Sequence, residues 1–322
     1  MLYGAGSAEA AGDQVESSNF TVTAADGAEL FVRRWRPSAP PRLAIQISHG
    51  LAEHGGRYAR LAEALTRAGH VVYANDHRGH GRTAPSPAAL GFFAPARGWA
   101  RCVEDLWQIN RQIAVEQPGV PIVLLGHSMG ALLCQDFIAQ HGDILAGVVL
   151  SGSSGKPPPM AAVGKVIARL ERLRLGKRGR SRLLDRLGFG DFNKQFEPAR
   201  TKRDWLSRDP VEVDRYIADP LCGFVATTQL WIDLLGGMSR IARPSLHARI
   251  PKNLPIRLIA GGRDPVTGNL KALEQLMGAY RAAGLSRLSH CFYAGARHEL
   301  FNETNRDEVT ADLIAWLNDL RA

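Results

Sequence analysis

The sequence lacks the cysteine patterns that build disulfide frameworks or zinc sites. Its four cysteines stand far apart in 322 residues and form no Cys-x-x-Cys pair. They are Cys102, Cys134, Cys222 and Cys291. This spacing predicts free thiols in apolar surroundings rather than cross-links or metal ligands. Because free thiols suit a reducing compartment, we expect a cytoplasmic protein.

Long apolar runs are also missing. The longest uncharged stretch of real hydrophobicity, Pro220 to Ile232, is shorter than the roughly 18 residues that a membrane-spanning helix needs. Met1 to Ser18 are small and polar and lack the basic-then-apolar order of a secretory signal. We therefore expect residues 1–18 to form a flexible segment, and the protein to be at most peripheral to a membrane.

Several classes of non-globular protein are excluded by what is scarce. Only 22% of the residues are charged, 45% are apolar, and glycine and proline number 33 and 18. These values exclude a largely disordered chain and argue against a coiled coil, a collagen or a low-complexity protein. A chain of this length buries a sizeable core, enough for one large domain with an inserted module.

Positive charge is concentrated in one segment. The chain holds 40 Lys and Arg against 31 Asp and Glu, a net charge of +9, and residues 161–210 hold 14 against 6, a net charge of +8. A helix predicted there has one apolar face, formed by Val163, Val166, Ile167, Leu170 and Leu173. We predict that this face packs on the rest of the protein; the alternative is contact with an anionic membrane surface. No nucleic-acid partner is expected, because no recognition motif accompanies the charge.

Strands and helices alternate along most of the chain. A β-hairpin is predicted around Asp26-Gly27. Six apolar runs predict buried strands: Leu43 to Ser48, His70 to Asn75, Pro121 to Gly126, Ala146 to Ser151, Pro255 to Ala260 and Leu288 to Tyr293. Five stretches predict helices: Tyr58 to Ala68, Ala100 to Glu116, Met129 to His141, Leu270 to Ala283 and Glu308 to Leu320. This alternation predicts an α/β fold with a mostly parallel sheet flanked by helices on both faces.

One stretch interrupts the alternation. Residues 152–244 have no clear strand, but they contain the proline cluster Pro157 to Pro159, the basic helix and several aromatic side chains. We predict a helical insertion there, between two strands of the sheet. Residues 19–151 and 245–322 would then form the core domain.

A serine stands where the chain has to turn sharply. Gly126-His127-Ser128-Met129-Gly130 follows an apolar strand and precedes a helical run. A serine on such a turn adopts a strained backbone, and glycines two residues before and after it remove Cβ atoms that would clash. Ser128 is therefore the candidate nucleophile; the alternative is a glycine-rich turn with an idle serine.

An acid and a histidine follow later strands. A serine hydroxyl is a weak nucleophile unless an imidazole accepts its proton and an acid orients that imidazole. Asp264 and His298 each follow the end of a predicted strand, and the order Ser, Asp, His is the one expected for an α/β-hydrolase. Asp76 also ends a strand, but it precedes the serine. His77 and His80 stand three apart, and Gly79 and Gly81 argue against a metal-ligating helix, so we predict no metal site.

Two backbone amides are candidates for an oxyanion hole. Attack on a carbonyl builds negative charge on its oxygen, which N–H groups have to stabilise. We assign one donor to Met129, directly after the nucleophile, and the other to Leu51, on the loop after the first core strand. Glu53, His54 and Arg57 are expected to hold that loop by charged hydrogen bonds, as a structural brace without direct chemistry.

Five motifs, in order along the chain, resemble one family. They are His49 to Tyr58, Asp76 to Gly81, Gly126 to Gly130, Asp264-Pro265-Val266 and His298-Glu299. From about Asn19 onward the sequence is similar to the monoacylglycerol lipase and lysophospholipase branch of the α/β-hydrolases. The resemblance implies a serine ester hydrolase with a Ser128, Asp264 and His298 triad and with Leu51 and Met129 at the oxyanion hole. It also implies that the insertion forms a cap, that the substrate is a monoacyl lipid or similar small ester, and that no cofactor is required.

Alternatives to this assignment stay open. Trp205, Phe224 and Trp231 are candidates for lining an acyl pocket, and they could equally form the core of the cap. The same triad could hydrolyse an amide, a thioester or a xenobiotic ester, because the tetrahedral intermediate is of the same kind. A non-catalytic ligand-binding protein on this fold is the least favoured alternative, since such proteins usually lack a member of the triad.

Overall fold

The centre of the computed structural model, which describes residues 15–157 and 160–320, is one eight-stranded sheet. Its strands are β1 (Glu16–Thr23), β2 (Glu29–Arg36), β3 (Ala44–Ser48), β4 (Val71–Asn75), β5 (Ile122–His127), β6 (Leu145–Ser151), β7 (Ile256–Gly261) and β8 (Leu288–Tyr293). Their order is β1-β2-β4-β3-β5-β6-β7-β8. β1 pairs with β2 and β2 with β4 in antiparallel fashion, and the pairs from β4 through β8 are parallel. The predicted mostly parallel α/β fold is confirmed.

The start of β1 corrects one prediction. Residues 1–14 lie outside the described residues, but Glu16 to Ser18 already pair with Arg36 to Arg34 in the hairpin. The prediction of a flexible segment over residues 1–18 is therefore wrong for its last three residues, Glu16 to Ser18. The alternating pattern that predicts a strand from Asn19 extends back only weakly, because Glu16 and Ser17 are exposed and carry no apolar signal.

Helices cover both faces of the sheet. The helices of the core are α1 (Ala59–Arg67), α2 (Gly98–Glu116), α3 (Met129–His141), α9 (Lys271–Ala282) and α10 (Arg306–Asp319). Successive strand residues point to opposite faces. Leu124 of β5 therefore packs in the core beneath α2, α3 and α9, while its neighbour Val123 packs in the core beneath α1 and α10.

Five α-helices lie between β6 and β7 in the described part of the chain: α4 (Ala161–Leu175), α5 (Arg182–Phe189), α6 (Pro210–Ala218), α7 (Thr228–Ile241) and α8 (Pro244–His247). The described residues between β6 and β7 add no strand to the sheet. We call residues 152–244 of this segment the insertion, and α8 begins at its last residue. None of the helices within 15–157 and 160–320 has the length and hydropathy needed to cross a bilayer.

The apolar face of α4 contradicts the prediction for the basic helix. Four of its five predicted side chains are exposed, with 47% of Val163, 54% of Val166, 59% of Leu170 and 80% of Leu173 accessible, and the fifth, Ile167, is partly buried against the core. The helix instead packs on α7 with the face that carries Lys165, Ala168 and Arg172. Ala168 is fully buried there, because a small side chain lets two helices approach closely.

The four cysteines are free thiols. Cys102, Cys134 and Cys222 are buried as predicted, whereas Cys291 is only half-buried. The reason is that Cys291 lies on β8, the edge strand of the sheet, where one side has no neighbouring strand.

Parallel strands bring the candidate site together. The carboxyl ends of β3, β5, β6, β7 and β8 lie at the same edge of the sheet, and loops at such an edge are where open α/β sheets bind ligands. The loops that leave β3, β5, β7 and β8 carry Leu51, Ser128, Asp264 and His298, respectively.

Candidate active site

Ser128 stands on a strained turn between β5 and α3. Its backbone has φ +52° and ψ −120°, a region that a non-glycine residue seldom adopts. A Cβ at Gly126 would lie 2.6 Å from Sγ of Cys134, and a Cβ at Gly130 would overlap the carbonyl oxygen of Ser48. Both glycines are therefore needed for the close packing of strand and helix around Ser128, as the pentapeptide predicts.

His298 and Asp264 form a buried hydrogen-bonded pair. Nδ1 of His298 lies 2.9 Å from Oδ2 of Asp264, and the two side chains are 3% and 0% exposed. Oδ1 of Asp264 accepts the N–H of Val266 at 2.8 Å, which fixes the carboxylate. Burial lowers the pKa of His298, but the carboxylate of Asp264 outweighs it and holds that pKa above the usual 6.5.

The predicted triad also requires a contact between Ser128 and His298. Because Nδ1 of His298 is engaged with Asp264, its Nε2 is the nitrogen that a serine hydroxyl can use. The described residues contain no hydrogen bond between these two side chains, and such contacts often close only when substrate binds. The ring of His127, next to Ser128, lies 4.6 Å from the ring of His298. This contact places the imidazole of His298 beside the serine turn.

His127 adds no charge beside the imidazole of His298. Burial, together with the neighbouring His298, lowers the pKa of His127 to about 4. His127 is therefore neutral near pH 7. A proton taken up by His298 meets no like charge from this neighbour.

Glu53 and Arg57 brace the loop after β3, as predicted. Oε1 of Glu53 accepts the N–H of Gly50 at 2.6 Å and the hydroxyl of Tyr58 at 2.9 Å. Arg57 donates to Oε2 of Glu53 at 2.8 Å and binds Glu299 through two hydrogen bonds of 2.6 Å. Burial raises the pKa of Glu299, but the guanidinium of Arg57 outweighs it and keeps the carboxyl ionised. One arginine thus ties the candidate oxyanion loop to the residue after His298.

Three other histidines form a neutral cluster behind that loop. The ring centroid of His49 lies 4.3 Å from that of His77 and 5.2 Å from that of His80. Burial lowers the pKa of His77 to about 3 and that of His80 to about 4. Asp76 is buried beside them, bonded to Arg33 and to the N–H groups of Gly55 and Arg82. These residues support the loops that follow β3 and β4.

His54, Asp219 and Cys222 place one possible metal ligand each within 4.8 Å of one another. Nδ1 of His54 accepts the N–H of Gly56, so a neutral ring carries its proton on Nε2. That proton faces Oδ2 of Asp219 at 2.9 Å. Because the nitrogen that faces the cluster is a donor, these three residues form a hydrogen-bonded contact and do not fit a metal.

The three candidate aromatic residues lie in different places. The ring of Trp205 is 5.3 Å from that of His298. Phe224 contacts His80, with 5.1 Å between ring centroids. Trp231 is buried against Phe189, whose ring also stacks on Trp205. Only Trp205 of the three has a ring contact with a member of the candidate triad.

Two side-chain contacts near the site join residues that are far apart in the sequence and were not predicted. Glu299 and Arg57 are 242 positions apart, and Asp219 and His54 are 165 apart. Arg57, Glu299 and His54 stand in the motifs that carry the resemblance, but nothing local shows which side chain each one binds. Asp219 stands outside those five motifs, in the stretch Asp219 to Phe224, which also shares the resemblance, and nothing local shows its partner either.

Comparisons with known proteins show the family of this chain. Residues 39–305 match the family described as serine aminopeptidase, S33. The chain is 30% identical to the monoglyceride lipase of Homo sapiens over 91% of its own length and 87% of the human protein. It is 28% identical to the monoacylglycerol lipase of Mycolicibacterium smegmatis, over 93% and 96% of the two chains.

A solved structure extends the similarity to the whole fold. The highly thermostable carboxyl esterase from Bacillus coagulans, in complex with glycerol, has a TM-score of 0.87 and 27% identity, covering 95% of this chain and 99% of that one. The chain therefore belongs to the serine aminopeptidase, S33, family of α/β-hydrolases and is a homologue of the monoglyceride lipases.

Proposed function

We propose that this protein is a serine carboxylic-ester hydrolase that acts on a monoacyl lipid or a similar small ester. The observation that carries the proposal is the buried His298–Asp264 pair beside a serine in a strained left-handed conformation. A strained backbone persists only where the surrounding structure enforces it, and such strain clusters at functional sites. A non-catalytic binding protein would have no need for this arrangement.

The reaction follows from the roles of these groups. His298 takes the proton of Ser128 through Nε2 while the serine oxygen attacks the ester carbonyl, and the N–H groups of Leu51 and Met129 hold the oxyanion. The N–H of Met129 is free for this because it opens α3, where a helix leaves its first N–H groups without partners. His298 then protonates the leaving alcohol, and water repeats the attack to release a carboxylic acid.

The substrate class rests on the relatives. Human and mycobacterial homologues are named for monoglyceride and monoacylglycerol hydrolysis. The test is a panel of p-nitrophenyl esters of increasing acyl length, run beside a monoacylglycerol, lysophosphatidylcholine and matched amide and thioester substrates. We expect the monoacylglycerol to give the highest kcat/KM. Faster turnover of the amide or thioester would reject ester hydrolysis as the main activity.

We further propose that the insertion, over residues 152–244, is a cap that covers the site. Its support is the contact of Trp205 with His298 and the backbone bond from the N–H of Glu299 to the carbonyl of Leu206, at 2.8 Å. Trp205, Phe224 and Trp231 are then proposed to line the acyl side of the pocket, since sites for small molecules are concave and mainly apolar.

We also propose that α4 and α5 contact an anionic membrane surface. The exposed side chains of α4 are joined by Leu183 and Leu187 of α5, which are about half exposed. Large apolar side chains left exposed on neighbouring helices mark an interaction site, and residues 161–210 carry a net charge of +8. An apolar ridge set among lysines and arginines fits anionic lipid.

Replacing Leu170 and Leu173 together with serine is expected to weaken binding to anionic vesicles by about 10- to 100-fold, because each leucine buries apolar area in the lipid. Turnover of a soluble short-chain ester stays unchanged. The measurement is vesicle co-sedimentation at increasing salt, which screens the charges. Val115→Ser, at an isolated exposed valine of α2, is the matched control and retains binding. Equal binding by all variants would refute a membrane role for this ridge.

The pH profile tests the His298–Asp264 pair. His298 acts as a base only when it is neutral, and its pKa is held above 6.5. The value of kcat/KM is therefore expected to fall about tenfold per pH unit below an apparent pKa that exceeds 6.5. Asp264→Asn removes the carboxylate that raises this pKa, so the acid limb moves to lower pH while the rate also drops. An acid limb below pH 6 in the wild type would argue against His298 as the base.

We propose that the protein is located in the cytoplasm, with peripheral contact to a membrane, because this compartment keeps thiols reduced. All four cysteines are free, and three of them are buried. Free thiols persist in reducing compartments. Fractionation of cells should recover the protein from the cytosol and from the cytoplasmic surface of a membrane. Recovery from an oxidising compartment would contradict the proposal.

A further inference from the structure

The carbonyl of Ala52 joins the insertion to the loop after β3. It accepts two hydrogen bonds from the insertion, one from the N–H of Gly223 at 2.9 Å and one from the hydroxyl of Tyr216 at 3.1 Å. Tyr216 is buried, and the guanidinium of Arg57 lies over its ring at 4.9 Å. Ala52 directly follows Leu51, whose amide is the proposed oxyanion donor.

Ala52 also has a backbone that it would not adopt freely. Its φ is +57°, in the left-handed region that disfavours residues with a Cβ. Such a conformation persists only where contacts around it enforce it. The contacts on its carbonyl come from Tyr216 and Gly223, both in the insertion.

A second contact lies two residues further on. Nε2 of His54 donates to Oδ2 of Asp219 at 2.9 Å, and Oδ1 of Asp219 accepts the N–H of Leu221 at 2.8 Å. Burial raises the pKa of Asp219, but the hydrogen bonds from His54 and Leu221 outweigh it and keep the carboxyl ionised. The segment from Tyr216 to Gly223 thus holds the loop at two points.

We infer that Tyr216 and Asp219 are positioning residues that set the oxyanion donor of Leu51 from the insertion. The peptide that carries the Leu51 N–H is held through its Gly50 carbonyl, which lies 2.7 Å from Nδ1 of His49, and the N–H of Gly50 is held by Glu53. On the other side of Leu51, the carbonyl of Ala52 is held by Tyr216 and Gly223. The core therefore fixes one side of the donor and the insertion fixes the other. This inference rests on the proposed ester hydrolysis.

The arrangement couples the position of the insertion to the rate of the chemical step. The N–H of Leu51 has to point at the oxygen of the tetrahedral intermediate, where charge develops, and a small rotation of its peptide weakens that interaction. Substrate binding in the ground state depends much less on it. Loss of the Tyr216 or Asp219 contact should therefore lower kcat and spare KM.

The test uses Tyr216→Phe and Asp219→Ala in the full-length protein with a soluble short-chain ester. Tyr216→Phe removes one hydrogen bond, and Asp219→Ala removes those from His54 and Leu221. Each variant is expected to lower kcat by about three- to tenfold, with KM within about twofold of wild type. A second readout is an alkyl trifluoromethyl ketone. The Ser128 oxygen adds to its carbonyl carbon, the proton passes to His298, and the resulting oxyanion enters the hole. Its inhibition constant should rise by the same factor as kcat falls.

Matched controls separate positioning from general damage. Tyr280→Phe removes a buried hydroxyl that has no hydrogen-bond partner among the described residues, and Asp214→Ala removes an exposed carboxylate on α6. Both controls are expected to keep wild-type kcat. A raised KM with unchanged kcat, or unchanged ketone inhibition in both test variants, would overturn the inference. A wild type that hydrolyses no ester would instead reject the proposed function.

Discussion

Replacing Ser128 with alanine is expected to lower kcat for the best ester on the order of 10⁴- to 10⁶-fold, while the protein stays folded. In the proposed reaction the serine oxygen is the attacking atom, and no other group can form the acyl-enzyme in its place. The residual rate would come from the oxyanion donors and binding alone. The Ser128 hydroxyl makes no hydrogen bond with the described residues, so its removal leaves no buried partner unsatisfied.

A fluorophosphonate probe checks the same prediction without a substrate. The serine oxygen bonds to phosphorus, fluoride leaves, and His298 takes the proton. Wild type should be labelled and Ser128→Ala should not. Ser153→Ala is the matched control, because it removes a buried hydroxyl that accepts a hydrogen bond from Gln135 and lies outside the proposed triad. Labelling of Ser128→Ala at the wild-type rate would place the nucleophile elsewhere.

Replacing Gly130 with alanine is expected to lower the free energy of unfolding by about 3 kcal/mol or more. The new Cβ would overlap the carbonyl oxygens of Ser48 and His49, at the end of β3. These are backbone atoms of a buried strand, so the overlap can be relieved only by moving α3 away from the sheet. The measurement is chemical denaturation followed by circular dichroism.

Gly278→Ala is the control for this prediction. Gly278 lies on an exposed position of α9, and a Cβ there would meet nothing within 4 Å. Alanine should stabilise that helix by about 0.5–1 kcal/mol, because it reduces the freedom of the unfolded chain. If Gly130→Ala unfolded at the same denaturant concentration as wild type, the tight packing of the serine turn would be disproved.

The strands and the serine turn could be predicted because their signals are local. A few neighbouring residues are enough to predict each of three elements: the hairpin around Asp26-Gly27, the buried strand before Ser128 and the helix Met129–His141. Spacing alone then placed Asp264 and His298 after their strands, and the structure pairs them at 2.9 Å. The ion pair between Glu53 and Arg57 could also be predicted, because the two residues stand four positions apart and can contact each other locally.

The basic helix shows where local reasoning fails. The periodicity of α4 correctly predicts a helix, and the choice of its buried face was wrong. Hydropathy favours burying Val166, Leu170 and Leu173, yet close packing on α7 requires the small side chain of Ala168. Which face is buried depends on the shape of the neighbouring helix, and the sequence of α4 does not contain that shape.

By itself, the amino-acid order determined the fold class, the strained serine turn and the strand ends that carry Asp264 and His298, because each follows from short-range patterns of polarity and glycine. Only the folded chain decided that Arg57 binds Glu299, that the insertion holds Ala52, and that α4 turns its apolar side outward. These contacts join residues from distant parts of the chain. Which residues come into contact depends on how the helices and strands pack, and this packing cannot be read from a local sequence pattern.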